Sequence, residues 1–255
     1  MNCRFSLNLA KGLRGVNTKN INIYAKLSPE NNEAVFSGIK FADFIECDSV
    51  QVENLLLLKS CYFGDKQCNN FELLEGKEDI AKIALENIYQ YGDFCFVDYV
   101  DPVSVRQLTG EQVAELLYIA HSFKPLNSPF LDTLHNNYAY LSHDDGWYCK
   151  LYCKEQHSLR SILFSKLLKH LRKDFCNTIS SLPEDLTEKV TELSTQGLLI
   201  QLDISKPKNN TAKKNKLASI RLYEVGEYGN MDDLFNNVEH LQPHLSFDVQ
   251  LQQSP

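Results

Sequence analysis

The sequence has no apolar run long enough to cross a membrane. Its run of consecutive leucines, Leu55–Leu58, covers four positions, whereas a membrane-spanning helix needs ~20 predominantly apolar residues. The N-terminal segment carries arginine and lysine but no continuous apolar core, so it lacks the composition of a signal peptide. The sequence therefore predicts no membrane insertion, and residues 1–19 are predicted to form a disordered tail or an edge strand.

The familiar motifs of nucleotide-binding proteins and hydrolases are also missing. The chain contains neither a phosphate-cradling glycine loop nor a G-x-S-x-G nucleophile turn. Its eight cysteines are dispersed and no secretion signal accompanies them, which favours reduced thiols and a cytoplasmic location. The nearest approach to a zinc-ligand set consists of Cys149, Cys153, His157 and Cys176. No second cysteine pair follows at the usual spacing, so the sequence predicts no metal and no cofactor.

The composition is that of a globular protein with an acidic charge balance. Hydrophobic residues make up 43% of the chain, and the formal net charge is −7. A chain of 255 residues can bury a sizeable core. Its negative charge would repel a phosphate backbone unless a local basic patch overcame the repulsion. Nucleic-acid binding is therefore disfavoured for the chain as a whole.

Strand-like and helix-like periodicities follow one another without regular βαβ spacing. The predicted strands comprise residues 22–27, 35–41, 55–58, 94–99, 198–202, 218–225 and 245–251, and the predicted helices residues 80–91, 109–123, 159–171, 183–197 and 231–241. These elements predict an α+β fold with a mixed, largely antiparallel sheet and flanking amphipathic helices. Residues 1–176 would form the main α+β domain. Residues 183–255 would form a smaller α+β unit, separate from the first or packed with it as one domain.

Two helix starts carry capping residues. Thr109, with Gln112 three residues later, fits a capping box. Asn230 fits an N-cap, with Asp232 and Asp233 in the first turn after it. We therefore expect helices to begin directly after Thr109 and Asn230.

The segment from Tyr138 to Lys150 is the richest in chemically capable side chains. Its Asp-Gly dipeptide lies between two alternating aromatic runs and predicts a β-hairpin, because both residues tolerate the positive φ of a tight turn. Aromatic side chains are typical binding anchors. The candidate binding residues of this hairpin are Tyr138, Tyr140, Trp147 and Tyr148.

The same hairpin supplies candidate catalytic residues. Histidine and aspartate offer nitrogen and oxygen ligands to a divalent metal, and the neighbouring predicted strand offers two more carboxylates, Asp93 directly before it and Asp98 within it. Adjacent strand residues point to opposite faces, so convergence would require a bent turn. A structural hairpin is favoured, and the alternative is a metal-assisted hydrolase. Its candidate residues are Asp93, His143, Asp144 and Asp145.

A basic loop separates the last two predicted strands of the smaller unit. It carries five lysines and no acidic residue between Lys206 and Lys216, with Lys213 and Lys214 as candidate phosphate contacts. Helix, strand, basic loop and strand form the layout of a winged helix, but the preceding helix is acidic and suits a DNA groove poorly. A solvated loop is favoured, and nucleic-acid binding is the weaker alternative.

Several segments together resemble an uncharacterised family of soluble proteins from Gram-positive bacteria. They are residues 91–98, Glu111–His121, Tyr138–Lys150 and Gly229–Asp233. The similarity covers most of the chain, from about Ile23 to the last strand. Members of that family often carry the label "oxalate:formate antiporter", which the lack of apolar spans contradicts. The resemblance implies no activity, cofactor or catalytic residue. It does imply that residues 94–98, the helix after Thr109 and the hairpin form one unit.

These observations favour a soluble cytoplasmic interaction or regulatory protein over an enzyme. It would bind a protein partner through the aromatic surface of the hairpin. The basic N-terminus and the lysine-rich loop depart from the family that the chain resembles. The identity of the partner and the oligomeric state stay open at this stage.

Overall fold

A computed structural model of the chain describes residues 19–63, 66–85, 94–143, 148–175, 181–205 and 215–252. The described strands form one antiparallel sheet in the order β10-β9-β8-β1-β2-β7-β6-β5-β3-β4. They are β1 (Lys19–Ser28), β2 (Glu33–Ser37), β3 (Asn54–Phe63), β4 (Lys66–Glu75), β5 (Phe94–Asp98), β6 (Tyr138–His143), β7 (Tyr148–Cys153), β8 (Leu198–Ser205), β9 (Asn215–Glu224) and β10 (Leu245–Gln252).

Seven α-helices occur in the described ranges. They are α1 (Phe41–Ile45), α2 (Lys77–Leu85), α3 (Pro102–Val105), α4 (Gly110–Ser122), α5 (Gln156–Phe175), α6 (Glu184–Ser194) and α7 (Met231–Asn236). None of the helices in these ranges combines the length and apolar character that crossing a bilayer requires. The predicted α+β fold with a largely antiparallel sheet is confirmed.

Successive side chains of a strand point to opposite faces of the sheet, and here apolar side chains occur on both faces. Helices therefore cover both faces of the sheet. We call the side packed against α1, α2, α5 and α6 the back face, where the largest core cluster lies. On the opposite, front face, α4 packs over β3, β5 and β6. A third cluster, around α7, covers β1, β8 and β9 on that same face. The front face therefore carries two separate helical layers with the middle of the sheet between them.

Helix α1 is tied to α5 by an ion cluster with a buried centre and a solvent-exposed rim. The ammonium groups of Lys166 and Lys169 both donate to the Asp43 carboxylate, and Lys169 also pairs with Glu46. Lys166 and Asp43 are both buried. Because removing one partner of such a pair would leave an uncompensated buried charge, this cluster holds the two helices in one arrangement.

The predicted strand over residues 35–41 is wrong beyond Ser37. Gly38 adopts a φ of +83°, and a Cβ there would lie 2.6 Å from the Asn22 carbonyl oxygen. The chain turns at this glycine, and Phe41 begins α1. The predictions also missed β4, an edge strand whose ten residues are mostly polar.

The helix starts follow the predicted caps. The Thr109 hydroxyl accepts from the Gln112 amide at 3.2 Å, and the Gln112 side chain accepts from the Thr109 amide at 3.0 Å. The Asn230 side chain accepts from the Asp233 amide at 3.2 Å. Both caps are confirmed, although α7 ends at Asn236 and a 3₁₀ turn over Val238–His240 follows it.

The two units proposed from the sequence share one sheet. Strand β1 pairs antiparallel with β8, with Ile23 opposite Ile200. On its other edge β1 pairs with β2, with Ala25 opposite Phe36. Strands from residues 198–252 therefore extend the same hydrogen-bonded ladder as those before residue 176.

Candidate functional site

Two of the predicted binding residues are core residues. Tyr138 and Tyr140 are 6% and 1% exposed, and the Tyr140 ring stacks on Phe96 with centroids 5.2 Å apart. Their positions alternate with those of Ala139 and Leu141, so both rings point to the back face. The expectation that they lie on an exposed aromatic surface is therefore wrong.

The remaining predicted binding residues divide between described and undescribed parts of the chain. Tyr148, the first residue of β7, is half-buried on the front face. Trp147, Lys213 and Lys214 lie outside the described residues. The hairpin itself is confirmed by the pairing of β6 with β7, with His143 opposite Tyr148.

Asp98 does not join the cluster of carboxylates that the metal-assisted hydrolase alternative would require at the hairpin turn. In the β5–β6 register, Phe94 is opposite Ser142 and Val97 is opposite Ala139, so Asp98 lies at the end of β6 away from the hairpin turn. Its carboxylate accepts from the Tyr138 amide at 2.6 Å and from the Asn137 amide. Asp98 therefore holds the chain as it enters β6. The other candidate groups, Asp93, Asp144, Asp145 and the side chain of His143, lie outside the described residues.

The candidate zinc thiols belong to the core. Cys149 and Cys153 are both buried on the back face. Burial raises the pKa of Cys149 to about 12 and raises that of Cys153 well above its ordinary value, so both thiols stay protonated, whereas zinc binds thiolate. Across the described ranges, no three histidine, cysteine or acidic side chains are grouped closely enough to hold a metal ion.

A cleft lies on the front face between the α4 layer and the α7 layer. Its volume is about 470 Å³, within the range of small-ligand and side-chain pockets. We call it the Tyr–Lys cleft. Its walls come from β1, β2, β7 and the segment that leads into α7: Tyr24, Lys26, Val35, Tyr148, Lys150, Glu227, Tyr228, Gly229, Asn230, Met231 and Asp232.

Strand register assembles the floor of the Tyr–Lys cleft. Lys26 is opposite Val35, and Val35 is opposite Lys150 on the far side of β2. The two lysines are therefore separated by two strand spacings, roughly 10 Å between backbones. Two residues along the strands, and so on the same face, Tyr24 and Tyr148 both pair with Ser37. Two lysines and two tyrosines thus form adjacent rows on one face.

The segment before α7 forms the wall of the cleft. The Tyr24 hydroxyl donates to the Gly226 carbonyl at 3.0 Å, and the amides of Val225 and Gly226 donate to the Gly197 carbonyl at 2.9 and 3.2 Å. These bonds fix the chain directly before Glu227 and Tyr228. Burial raises the pKa of Tyr24, so its hydroxyl keeps its proton for this bond at neutral pH.

Charges of both signs meet in the cleft. The Lys26 ammonium lies 2.9 Å from the Glu227 carboxylate, and the Lys150 ammonium lies 3.7 Å from Glu33. The hydrogen bond and charge of Lys26 lower the pKa of Glu227, and the charge of Lys150 lowers it further. The cleft can therefore hold an anionic group between its two lysines.

The sequence predictions missed Tyr24, Lys26, Lys150, Glu227 and Tyr228. Alternation in β1 places Tyr24 and Lys26 on one face of the strand, but it does not mark either residue as part of a site. No local pattern connects either residue to Glu227, which follows Lys26 by 201 positions. Only the pairing of β1 with β8 brings these segments together.

A second cavity of about 440 Å³ lies on the same face beyond α7, lined by Gln201, Arg221, Tyr223, Val238, Glu239, Leu241 and Pro243. The side-chain amide oxygen of the buried Gln201, Oε1, accepts from Arg221 at 3.1 Å and from the Tyr223 hydroxyl at 3.3 Å. These groups satisfy one another, so the Tyr–Lys cleft is the better candidate site.

The comparisons with known proteins identify no relative. No family model matches the chain, and no curated protein or solved structure matches it. The resemblance to the Gram-positive family stays a prediction, as does the cytoplasmic location. The functional argument therefore depends on the geometry of the Tyr–Lys cleft.

Proposed function

We propose that the chain is an interaction protein that binds a segment of a protein partner in the Tyr–Lys cleft. The observation that supports this function is the grouping of Tyr24, Tyr148 and Tyr228 around two lysines in one cleft. Tyrosine is enriched among the residues that dominate binding energy, because its ring buries a large area while its hydroxyl still finds a partner. Of the hairpin aromatics predicted to bind, Tyr148 lines this cleft, and Trp147 lies outside the described residues.

The protonation state of the Tyr24 hydroxyl suits ligand recognition better than proton transfer. Lys26 is held in an ion pair with a carboxylate, and the raised pKa of Tyr24 keeps its hydroxyl neutral. A general base must accept a proton near neutral pH, whereas the Tyr24 hydroxyl retains its proton and donates it to the Gly226 carbonyl. The arrangement therefore suits binding of a ligand that the cleft does not alter chemically.

No described contact favours either alternative function. The candidate groups of the metal-assisted hydrolase lie outside the described residues, apart from the backbone of His143. The lysines proposed to contact nucleic acid, Lys213 and Lys214, also lie outside them.

Selection from a displayed library of random peptides tests the proposed function, because it does not require the natural partner. The wild-type protein should enrich peptides that bind it. Tyr148→Ala and Tyr228→Ala should each weaken those peptides roughly tenfold or more, as loss of a binding anchor does. Tyr118→Ala removes a partly buried tyrosine from α4, outside the cleft, and should leave binding unchanged.

Two outcomes would contradict the proposal. The first is a failure to enrich any peptide in repeated selections. The second is enrichment of peptides whose affinities are the same for wild type, Tyr148→Ala and Tyr228→Ala. A thermal melt of each variant would show that the loss of binding is not a loss of folding.

A further inference from the structure

Both lysines of the cleft act on the same carboxylate. Lys26 donates to Glu227 Oε2 at 2.9 Å, and the charge of Lys150 also favours the ionised form of Glu227. The side chains of both lysines are only 25% exposed. Lys26 therefore contacts Glu227 directly, and Lys150, two strands away in the cleft floor, adds its charge at longer range.

Glu227, which supplies this carboxylate, is far more exposed to solvent than either lysine. The side chain of Glu227 is 82% exposed and lies between strand β9 and helix α7, outside any regular element. An exposed ion pair of this kind contributes little to stability. Glu227 can therefore leave the lysines and be solvated at small cost.

We propose that the Tyr–Lys cleft recognises an acidic segment of the partner protein, with an aspartate or glutamate carboxylate of that segment replacing Glu227 between Lys26 and Lys150. Charge complementarity supports this occupant. When Glu227 swings out, the lining retains two lysines and one acid, Asp232. Glu33 stays beside Lys150 but does not line the cleft. This inference rests on the proposed function and names the chemistry of the ligand.

The tyrosines define the rest of the ligand. Tyr148 pairs with the same β2 residue as Tyr24, so their side chains lie next to the lysine row. Tyr24 is itself buried, so a flat or apolar side chain beside the acidic residue would pack on the half-buried rings of Tyr148 and Tyr228. An acidic residue next to an aromatic one is therefore the expected core of the recognised segment.

Fluorescence anisotropy with two matched probes tests the inference. The acidic probe is a fluorescein-labelled heptapeptide amide in which two glutamates flank a central phenylalanine between pairs of glycines, and the neutral probe has glutamine in place of both glutamates. The 255-residue chain should bind the acidic probe at least tenfold more tightly than the neutral one, and added salt should reduce the difference. Free glutarate should compete only weakly, because it cannot contact the tyrosines.

Removing the internal competitor gives the most specific result. Glu227→Gln should increase affinity for the acidic probe about two- to fivefold, the factor that corresponds to an exposed ion pair. Glu192→Gln is the matched control. Glu192 is 65% exposed and paired with Lys189 at 2.6 Å, but it lies on α6 over the back face. The Glu192→Gln substitution removes the same charge as Glu227→Gln and should leave the affinity for the acidic probe unchanged.

The lysines provide the opposite test. Lys26→Met and Lys150→Met keep most of the aliphatic stem and remove the ammonium, so each should weaken the acidic probe roughly tenfold or more. Neither variant should change the affinity for the neutral probe.

Equal binding of the two probes, no binding of the acidic probe up to about 1 mM, or the same affinity gain in Glu192→Gln and Glu227→Gln would each overturn the inference. These results are distinguishable from failure of the proposed function. Selected peptides that depend on Tyr148 but contain no acidic residue would support an interaction protein and overturn only the acidic ligand.

Discussion

At the scale of single residues, Asp98 shows opposing effects on one carboxyl group. Burial raises the pKa of Asp98 to about 6, although the amides of Asn137 and Tyr138 donate to it and oppose the shift. The folded state therefore binds a proton more tightly than the unfolded chain does. The resulting stabilisation is complete below the unfolded pKa near 4 and is lost as the pH rises through about 6.

This effect predicts a difference between wild type and Asp98→Asn that depends on pH. As the pH rises from 4 to 7, the free energy of unfolding of wild type should fall relative to that of the variant by about 2 kcal/mol. Urea denaturation at four pH values in this range measures the difference, in which contributions of the other groups cancel. Parallel pH profiles for the two proteins would mean that Asp98 does not titrate in this window.

At the scale of elements, Gly197 connects the start of β8 to the wall of the Tyr–Lys cleft. It adopts a φ of +103°, and a Cβ there would lie 2.0 Å from the Gly226 carbonyl oxygen. Gly197→Ala should destabilise the protein by about 3 kcal/mol or more in urea denaturation, because the backbone that precedes Glu227 must move.

Gly76→Ala is the matched control for that prediction. Gly76 has a similar φ of +84°, but an added Cβ would meet nothing within 4 Å. Its cost should be the strain of the left-handed conformation alone, about 1–2 kcal/mol. Equal costs for the two variants would show that the contact with Gly226 is not what restricts position 197.

The capping box of α4 gives a second prediction at this scale. Thr109→Ala should lower the free energy of unfolding by about 1 kcal/mol, because the Gln112 amide loses its partner. Thr109→Ser keeps the hydroxyl and should restore most of that loss. If urea denaturation shows the serine variant to be as unstable as the alanine variant, the hydroxyl is not the stabilising group.

At the scale of the whole molecule, the continuous sheet couples the two units predicted from the sequence. The β1–β8 ladder and the back-face core extend from the first strand to residues of β9. We therefore expect a single unfolding transition, with far-ultraviolet circular dichroism and tyrosine fluorescence changing at the same urea concentration. Two separated transitions would support independent units divided near residues 176–183.

Most of the regular elements could be predicted from local sequence, and the exceptions have physical causes. Alternation predicted β1 and the hairpin strands, and helical periodicity predicted α4 and α5, because their exposed and buried faces differ in polarity. Strand β4 was missed because an edge strand with polar residues has little alternation to detect. Helix α1 was missed because five residues are too few to show helical periodicity.

The candidate site was harder to predict than the fold. The sequence drew attention to Tyr138, Tyr140 and the hairpin acids, since they are close together in the chain. The predicted exposure of Tyr138 and Tyr140 was wrong, because alternation shows only that neighbouring residues point to opposite sides and not whether each side is covered. Helices cover both sides of β6, with α1 over the tyrosines and α4 over Ala139 and Leu141.

The sequence by itself determined what short-range chemistry controls: the capping of α4 by Thr109, the capping of α7 by Asn230, the alternation of the strands and the hairpin between β6 and β7. Tertiary structure alone decided the order of the strands, the faces that helices cover and the meeting of Lys26 with Glu227 across 201 positions. The physical reason is range. Caps and turns are satisfied within a few residues, whereas strand pairing and burial depend on distant segments that no local pattern specifies.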